Sequence, residues 1–255
     1  MIKLDTGTEL PESFVLTKEF KEIFEIINNT NSNLFITGKA GSGKSTLLEY
    51  FRQKTKKNYA ILAFQGIAAL KAKGQTIHSF FKFPPHFISE DDVDTLKDKE
   101  TIQKLDTILI DEISMVRADL FDAIDISLKK NRNNNQPFGG VQIVLFGDVM
   151  QIDPIVGKDD KVMDQFYPKG PFFFHSNSYD KDSFKQVELT KIFRQSDENF
   201  INLLNKIRLN KIKSEDLDEL NKRFKKDVEK GTIVLCPTNR KVDDINNTNL
   251  YQLKT

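Results

Sequence analysis

The sequence predicts an α/β fold in which a parallel β-sheet is covered by helices on both faces. Short runs rich in Ile, Val, Leu and Phe alternate with segments of helical period, as buried parallel strands do when helices connect them. A glycine-rich stretch directly follows the first run. The runs predict five strands, at Asn33–Thr37, Tyr59–Phe64, Thr107–Asp111, Val141–Phe146 and Thr232–Cys236.

Two apolar stripes at helical spacing predict helices that pack on this sheet. One stripe follows i, i+4, i+8 spacing and the other follows i, i+3, i+4, i+7 spacing. We expect both to face the core, because such stripes are packing surfaces far more often than binding sites. Their members are Leu120, Ile124 and Leu128 in the first stripe, and Phe200, Leu203, Leu204 and Ile207 in the second.

Length and composition fit one large domain with a smaller second unit. The chain has 255 residues, and 38% of them are hydrophobic, which allows a sizeable core. We place the boundary near residue 190, so that residues 1–190 form the first domain and residues 191–255 begin the second. Two segments interrupt the alternation: an acidic, proline-containing insertion at 84–104 and a loop-like stretch from Gly157 to Pro171.

The bulk properties exclude several classes of protein. A net charge of +1 gives no overall basic field, so a nucleic-acid track would have to be a local patch. The only cysteine, Cys236, excludes a disulfide framework and is expected to be a small core residue. No secretory segment and no membrane-spanning apolar run are evident, so we expect a reduced, cytoplasmic protein. Three dispersed histidines do not suggest a structural zinc site: His78, His86 and His175.

The glycine-rich stretch is a complete phosphate-binding loop of the pattern G-x-x-x-x-G-K-[ST]. Its glycines allow the backbone to curl until several N–H groups point at one anion. Lys44 would place a charge near the β- and γ-phosphates, and the Ser45 hydroxyl would ligate Mg²⁺. The following helix would add its positive dipole end. The sequence therefore predicts a nucleoside triphosphate site at Gly38, Lys39, Ala40, Gly41, Ser42, Gly43, Lys44, Ser45 and Thr46.

Polar residues follow two later strands and complete the predicted chemistry. The strand that begins at Thr107 ends in Asp111 and Glu112. Asp111 would hold the Mg²⁺ shell, and Glu112 would accept a proton from the attacking water. Gln151 follows the next strand and could orient that water. An acid pair after a strand is by itself commonly a solvated turn, but beside a phosphate-binding loop the catalytic interpretation is favoured.

Two further segments carry candidate roles. Arg194 precedes the helix of the second stripe, and its guanidinium could neutralise charge on the transferred phosphoryl group. In isolation such an arginine is more often a plain surface residue. Small residues after the second strand, followed by a Thr-Ile-His-Ser-Phe-Phe stretch, could admit and bind a nucleic-acid backbone. Phe80 and Phe81 of that stretch are equally good candidates for the core.

Together these elements resemble the Pif (petite integration frequency) helicases of superfamily one, which are relatives of the RecD helicases. The resemblance covers nearly the whole chain from about residue 14. The stretch after the acid pair is similar to the signature that separates this family from other superfamily-one enzymes, and two further stretches resemble its bacterial branch. The matching motifs are Asp111–Asp122, Pro137–Gln142, Phe193–Gln195, Thr76–Phe80 and Leu235–Asn239.

The resemblance implies a P-loop NTPase with two RecA-like lobes that uses ATP and Mg²⁺ to move 5′ to 3′ on single-stranded DNA. Single-stranded and forked DNA would be its partners, and the cytoplasm, here of a bacterium, its location. The catalytic residues would be Lys44, Glu112, Gln151 and Arg194. Gly66, Thr76, His78 and Ser79 would lie near the DNA strand. Residues 84–104 would form the small wedge that parts the duplex.

The sequence departs from the family pattern in several places. Phe20 stands where the adenine-reading motif usually has glutamine, Gln65 replaces a usual threonine, and Asp153 replaces the first of two prolines. The later motifs of the second lobe have no counterpart, which implies an incomplete second lobe in either a shortened chain or a natural short form. A DNA-stimulated ATPase without unwinding and a nucleotide-gated DNA-binding module therefore remain alternatives to a helicase.

Overall fold

Six strands form one fully parallel sheet in the computed structural model, which describes residues 10, 14–157, 160–193, 197–224 and 232–252. The strands are β1 (Asn33–Gly38), β2 (Tyr59–Ala63), β3 (Gln75–Thr76), β4 (Thr107–Asp111), β5 (Gln142–Phe146) and β6 (Phe184–Leu189). Their order in the sheet is β3-β2-β4-β5-β1-β6. All carboxyl ends of parallel strands lie at one edge, so the residues that follow β1, β4 and β5 meet there.

Helices connect the strands and continue beyond the last one. Local chemistry fixes several of their starts: the Thr17 hydroxyl accepts a hydrogen bond from the Phe20 amide, and Asp197 caps a later helix in the same way. The helices are α1 (Lys18–Asn29), α2 (Lys44–Lys54), α3 (Gly66–Lys71), α4 (Ile77–Phe81), α5 (Lys99–Gln103), α6 (Ala118–Arg132), α7 (Asp160–Phe166), α8 (Glu198–Arg208), α9 (Ser214–Asn221) and α10 (Asn239–Gln252). None of the helices in the described ranges combines the length and apolar character needed to cross a bilayer.

Successive residues of the central strands point to opposite faces of the sheet, and both faces are buried. In β4, Leu109 belongs to the cluster that contains α1 and α2 side chains, whereas Ile108 and Ile110 belong to the cluster that contains α6. The stripe of Leu120, Ile124 and Leu128 is at most 1% exposed. The predicted parallel sheet with helices on both faces is therefore confirmed.

Four of the five predicted strands form within one residue of their expected ends. Two strands were not predicted: β3, which has only two residues, and β6. In β6 only Phe184 and Leu189 are buried, and three of the four residues between them are exposed. This strand lies at the sheet edge and pairs with β1 alone, so its sequence lacks the continuous apolar run of a central strand.

The fifth predicted strand, Thr232–Cys236, is wrong. These residues form no strand, and Ile233 and Leu235 are 86% and 92% exposed. Cys236, expected in the core, is only half-buried. A strand exists only when its backbone groups pair with a neighbour. In the described parts of residues 212–255 there are two helices and no partner strand, so apolar composition alone does not produce one.

Two other expectations also need correction. The stretch from Gly157 to Pro171 is not simply a loop, because it contains α7. In the second stripe only Leu203 is buried, whereas Leu204 and Ile207 are 43% and 41% exposed, so that helix face is only partly a core surface. Of the two candidate core phenylalanines, Phe81 is buried and Phe80 is half-buried against the same cluster.

The chain divides into compact units after Lys211 rather than near residue 190. Helix α8 therefore belongs to the first unit. The insertion at 84–104 does not form a separate unit either, because Ile88 and Val93 are buried in the core cluster that contains α6. Its backbone is tied to α6 by hydrogen bonds from the Ile88 amide to Asp119 and from the Leu96 amide to Asn131, of 2.9 Å and 2.8 Å.

Asp122 of α6 ties this helix to the segment that follows α7, and we expect its replacement to destabilise the fold. Its buried carboxylate accepts hydrogen bonds from the Tyr167 hydroxyl, the Ser178 amide and two groups of Asn177, at 2.7–3.1 Å. Asp122→Ala leaves these donors without a partner, so the free energy of unfolding should fall by about 3–5 kcal/mol. Urea denaturation measures this, with the exposed Asp182→Ala as control. A loss below about 1 kcal/mol would contradict the anchoring role.

Candidate active site

The loop between β1 and α2 has the conformation that its glycines were expected to allow. Gly41 and Gly43 have φ angles of 78° and 91°, in the left-handed region. A Cβ at Gly38 would lie 2.6 Å from the Ser42 hydroxyl and 2.8 Å from the Leu189 carbonyl oxygen. A Cβ at Gly43 would lie 2.7 Å from the Phe20 ring. Larger residues at these positions would therefore distort the cradle at the start of α2.

Lys44, the first residue of α2, folds back over this loop. Its Nζ donates a hydrogen bond to the Gly38 carbonyl oxygen at 2.6 Å and a longer one to that of Lys39. Burial lowers the pKa of the Lys44 ammonium, and the charges of Asp148, Glu112 and Asp111 oppose that effect. The side chain thus lies close to the acidic residues that follow β4 and β5.

The acid pair lies at the carboxyl end of β4. Asp111 is 8% exposed, and one of its oxygens accepts a hydrogen bond from the Glu112 amide at 3.0 Å. Glu112 has a φ of 51° and a ψ of 47°, a conformation that costs an L-residue about 1–2 kcal/mol. Ile113, which follows, is fully buried. A strained backbone persists only where the surrounding structure holds it in place, and such positions cluster at active sites.

Burial raises the pKa of Asp111 to about 6, and the neighbouring Glu112 charge acts in the same direction. The ordinary value is 3.8. Above pH 6 the folded protein therefore holds an ionised carboxylate in a poorly solvated place. A bound cation would relieve that cost, which fits a metal ligand.

Replacing this carboxylate should stabilise the nucleotide-free protein. A pKa raised from 3.8 to about 6 corresponds to about 3 kcal/mol, at about 1.4 kcal/mol per unit. This loss of folding free energy is absent below pH 4, where Asp111 is protonated in both the folded and the unfolded state. It is complete above pH 6, where Asp111 is ionised in both states. We expect Asp111→Asn to raise the free energy of unfolding by about 1–3 kcal/mol at pH 8 and by little at pH 4. Urea denaturation at both pH values is the measurement, and equal changes at both would contradict it.

Asp148, which follows β5, connects the candidate sensor Gln151 to α8. Its side chain is fully buried, and both oxygens accept hydrogen bonds from the Arg208 guanidinium, at 2.7 Å and 2.8 Å. The Gln151 Nε2 group donates to the same carboxylate at 3.1 Å. Asp148 lies in the sequence element that ends in Gln151, but no role was predicted for it or for Arg208, because residues 60 positions apart give no local signal of a contact.

The strand order brings five of the predicted site residues to one cavity. Because β5 lies between β1 and β4, residues after β5 stand between the phosphate-binding loop and the acid pair. The cavity has a volume of about 530 Å³ and an open mouth. Its lining includes, from the predicted site, Ser45, Thr46, Asp111, Glu112 and Gln151. The structure thus groups these residues, while their roles stay predictions.

The residues around this cavity fit a nucleotide with a bound divalent cation. Among the described residues, the buried Ser42 and Ser114 hydroxyls have no hydrogen-bond partner within the protein. Ser114 also lines the cavity. No cluster of three or more His, Cys, Asp or Glu forms a metal site in the described chain. A magnesium ion would therefore depend on Ser45, Asp111 and phosphate oxygens, as Mg²⁺ commonly does.

The predicted DNA-contact residues lie at the same edge of the sheet, at or just after the ends of β2 and β3. Gly66 is exposed, and no atom lies within 4 Å of where its Cβ would be. Ser79 is exposed, and its amide donates to the Thr76 hydroxyl at 3.2 Å. Burial lowers the pKa of His78, with a further contribution from the Arg117 charge, and both effects favour the neutral imidazole.

Arg194 lies outside the described residues, so the structure does not place this predicted catalytic residue. Its neighbour Phe193 donates a backbone hydrogen bond to the Gly41 carbonyl oxygen at 2.8 Å. Phe20, in the expected adenine-reading position, is 2% exposed, and its ring centroid lies 6.1 Å from that of Phe193. The hydrocarbon of Phe20 thus packs beside the phosphate-binding loop, where it offers no hydrogen bond to a base.

Comparisons with known proteins identify relatives of this chain. The chain is 34% identical over 269 residues to "ATP-dependent DNA helicase PIF1" of Saccharomyces cerevisiae (strain YJM789), a match that covers 97% of this chain and 29% of the yeast protein. The protein of the same name from Homo sapiens is 31% identical over 227 residues, with 87% of this chain and 34% of the human protein covered. The chain therefore spans about a third of these relatives.

A solved structure matches the fold over nearly the whole chain. The crystal structure of Pif1 helicase from Bacteroides in complex with ADP-AlF3 and ssDNA gives a TM-score of 0.86 at 39% identity, and the match covers 95% of this chain and 58% of that one. The parallel sheet with its phosphate-binding loop is thus a RecA-like P-loop NTPase fold. The family model described as "PIF1-like helicase" matches residues 15–218. Because this match covers most of the sequence, the chain belongs to the PIF1-like helicase family.

Proposed function

We propose that this chain carries the ATP-hydrolysing lobe of a DNA helicase that moves 5′ to 3′ on single-stranded DNA. The observation that supports this most directly is the cavity shared by Ser45, Asp111, Glu112 and Gln151, with Lys44 close by. These side chains supply each element that phosphoryl transfer to water needs: charge neutralisation, a metal shell, a base and a group to orient the water. Residues 212–255, the second compact unit, would begin a second RecA-like lobe.

Each residue would have a different role in hydrolysis. Lys44 would leave the loop carbonyls and hold the β- and γ-phosphates, while Ser45 and Asp111 would hold Mg²⁺, which neutralises charge on the phosphate oxygens when bound. Glu112 would accept the proton of the attacking water. Gln151 would orient that water, and Arg194 would approach the transferred phosphoryl group.

The short helix α3 offers a route by which nucleotide and DNA could affect each other. Gln65, Ile67 and Ala68 line the nucleotide cavity, and Gly66 between them is a proposed DNA contact. Thr76, His78 and Ser79 would complete the DNA contacts. A neutral His78 would act by hydrogen bonding or stacking rather than by charge. Residues 84–104, tied to α6, would form the wedge at the fork.

Steady-state ATP hydrolysis with and without single-stranded oligo(dT) tests the proposal. We expect turnover that DNA stimulates and that magnesium removal abolishes. Nucleotide binding without turnover in either condition would contradict hydrolysis by this chain and favour a nucleotide-gated binding module. A 5′-tailed duplex then separates a helicase from a DNA-stimulated ATPase, since only a helicase releases the paired strand.

A further inference from the structure

The contacts of Asp148 suggest a role for Arg208 in the reaction, and this argument rests on the function proposed above. Arg208 ends α8 and binds both oxygens of Asp148 through Nε and Nη2. Such a two-bond pair fixes a carboxylate in position and plane more strictly than one bond can. Asp148 is further held by the Met150 amide at 3.1 Å. The carboxylate is therefore fixed in the loop that carries Gln151.

A fixed, ionised carboxylate determines which way the Gln151 amide faces. A carboxylate only accepts hydrogen bonds, so the NH2 group of Gln151 must face Asp148, as it does at 3.1 Å. The carbonyl oxygen Oε1 then lies on the other side of the amide. Because Gln151 lines the nucleotide cavity, Oε1 is the atom left to accept a hydrogen bond from a water molecule there. The reversed amide would instead offer that water a donor.

We infer that Arg208 is a positioning residue for hydrolysis: by holding Asp148 in place, it keeps Oε1 of Gln151 turned toward the attacking water. Without the guanidinium, the buried carboxylate loses its charged partner and its fixed plane, and the Gln151 amide can rotate. Arg208 does not line the nucleotide cavity, but its charge also helps to lower the pKa of the Lys44 ammonium. An effect that passes through Gln151 should change kcat more than KM and should disappear when Gln151 is replaced.

A double-mutant cycle tests this dependence. ATP hydrolysis with saturating oligo(dT) is measured for Arg208→Gln, Gln151→Ala and the double variant, after thermal melting shows that each is folded. We expect Arg208→Gln to lower kcat by about tenfold when Gln151 is present and by less than about twofold when it is absent, with KM within about twofold. Arg208→Lys, which keeps the charge without the fork, should lose less.

Arg132→Gln is the matched control, because Arg132 binds the carbonyl oxygens of Ile102, Gln103, Leu105 and Gly139 rather than any residue of the site. A purely structural arginine should change kcat by the same factor with and without Gln151. The same factor for Arg208→Gln in both backgrounds would overturn the inference. A loss that appears only in KM would overturn it as well.

A second measurement keeps the inference testable if the chain shows no turnover. The side-chain NH2 resonances of Gln151 in a ¹⁵N–¹H spectrum are identified by their loss in Gln151→Ala. Arg208→Gln should shift them, while Arg132→Gln should not. Unmoved Gln151 resonances in folded Arg208→Gln would refute the link between the two residues. Shifted resonances without turnover would leave the link standing and count against the proposed hydrolysis alone.

Discussion

Lys44→Ala should lose tight nucleotide binding. The ammonium lies in the phosphate-binding loop and makes its hydrogen bonds to the loop's own carbonyl oxygens, which phosphate oxygens would replace. Hydrogen bonds to charged groups contribute about 1.5–3 kcal/mol each, so the affinity should fall by about tenfold to 150-fold. Titration of a fluorescent ATP analogue with magnesium present measures the dissociation constant.

Lys54→Ala serves as the control for this experiment. Lys54 is an exposed lysine at the other end of the same helix, in its last turn, so its removal changes the net charge equally. We expect its affinity for the analogue to match that of the unchanged chain. If Lys44→Ala also bound the analogue as well as the unchanged chain does, the phosphate site would have to lie elsewhere.

Glu112→Gln should separate binding from chemistry. The amide keeps the size and polarity of the side chain but cannot accept a proton, so turnover should fall by roughly the 10²–10⁴-fold that the loss of a general base costs. Nucleotide binding should persist or become tighter, because one negative charge near the phosphates is removed. Single-turnover hydrolysis and equilibrium binding on the same preparation give both quantities.

Glu90→Gln provides the same chemical change at an exposed position of the insertion. Its turnover should equal that of the unchanged chain. Turnover within about twofold of normal in Glu112→Gln would remove Glu112 from the mechanism. A parallel fall in affinity and turnover would instead indicate that the strained turn at Glu112 had rearranged.

Much of the fold could be predicted because its signals are local. The central strands β1, β2, β4 and β5 are buried on both faces, and this burial requires continuous apolar runs that can be read directly from the sequence. Edge strands carry no such requirement, so β6 escaped detection. The run Thr232–Cys236 shows the converse error, since an apolar sequence forms a strand only beside a partner.

Much of the candidate site could also be predicted, but the hydrogen bonds that join Gln151, Asp148 and Arg208 could not. Glycines at Gly38 and Gly43 are needed by the backbone itself, and an acid pair after a buried strand has a recognisable spacing. Arg208 instead pairs with a carboxylate 60 residues earlier, and neither residue carries a local pattern that points to the other. Orphan hydroxyls such as that of Ser114 become visible only when burial is known.

The sequence by itself determined the parallel α/β fold, the phosphate-binding loop and the residue types at the ends of β4 and β5. Each depends on short-range rules of backbone conformation and strand burial. Only the tertiary structure decided that β5 lies between β1 and β4, and that α8 returns Arg208 to the loop carrying Gln151. Strand order and long-range ion pairs come from packing the whole chain, and packing brings together residues that the sequence keeps far apart.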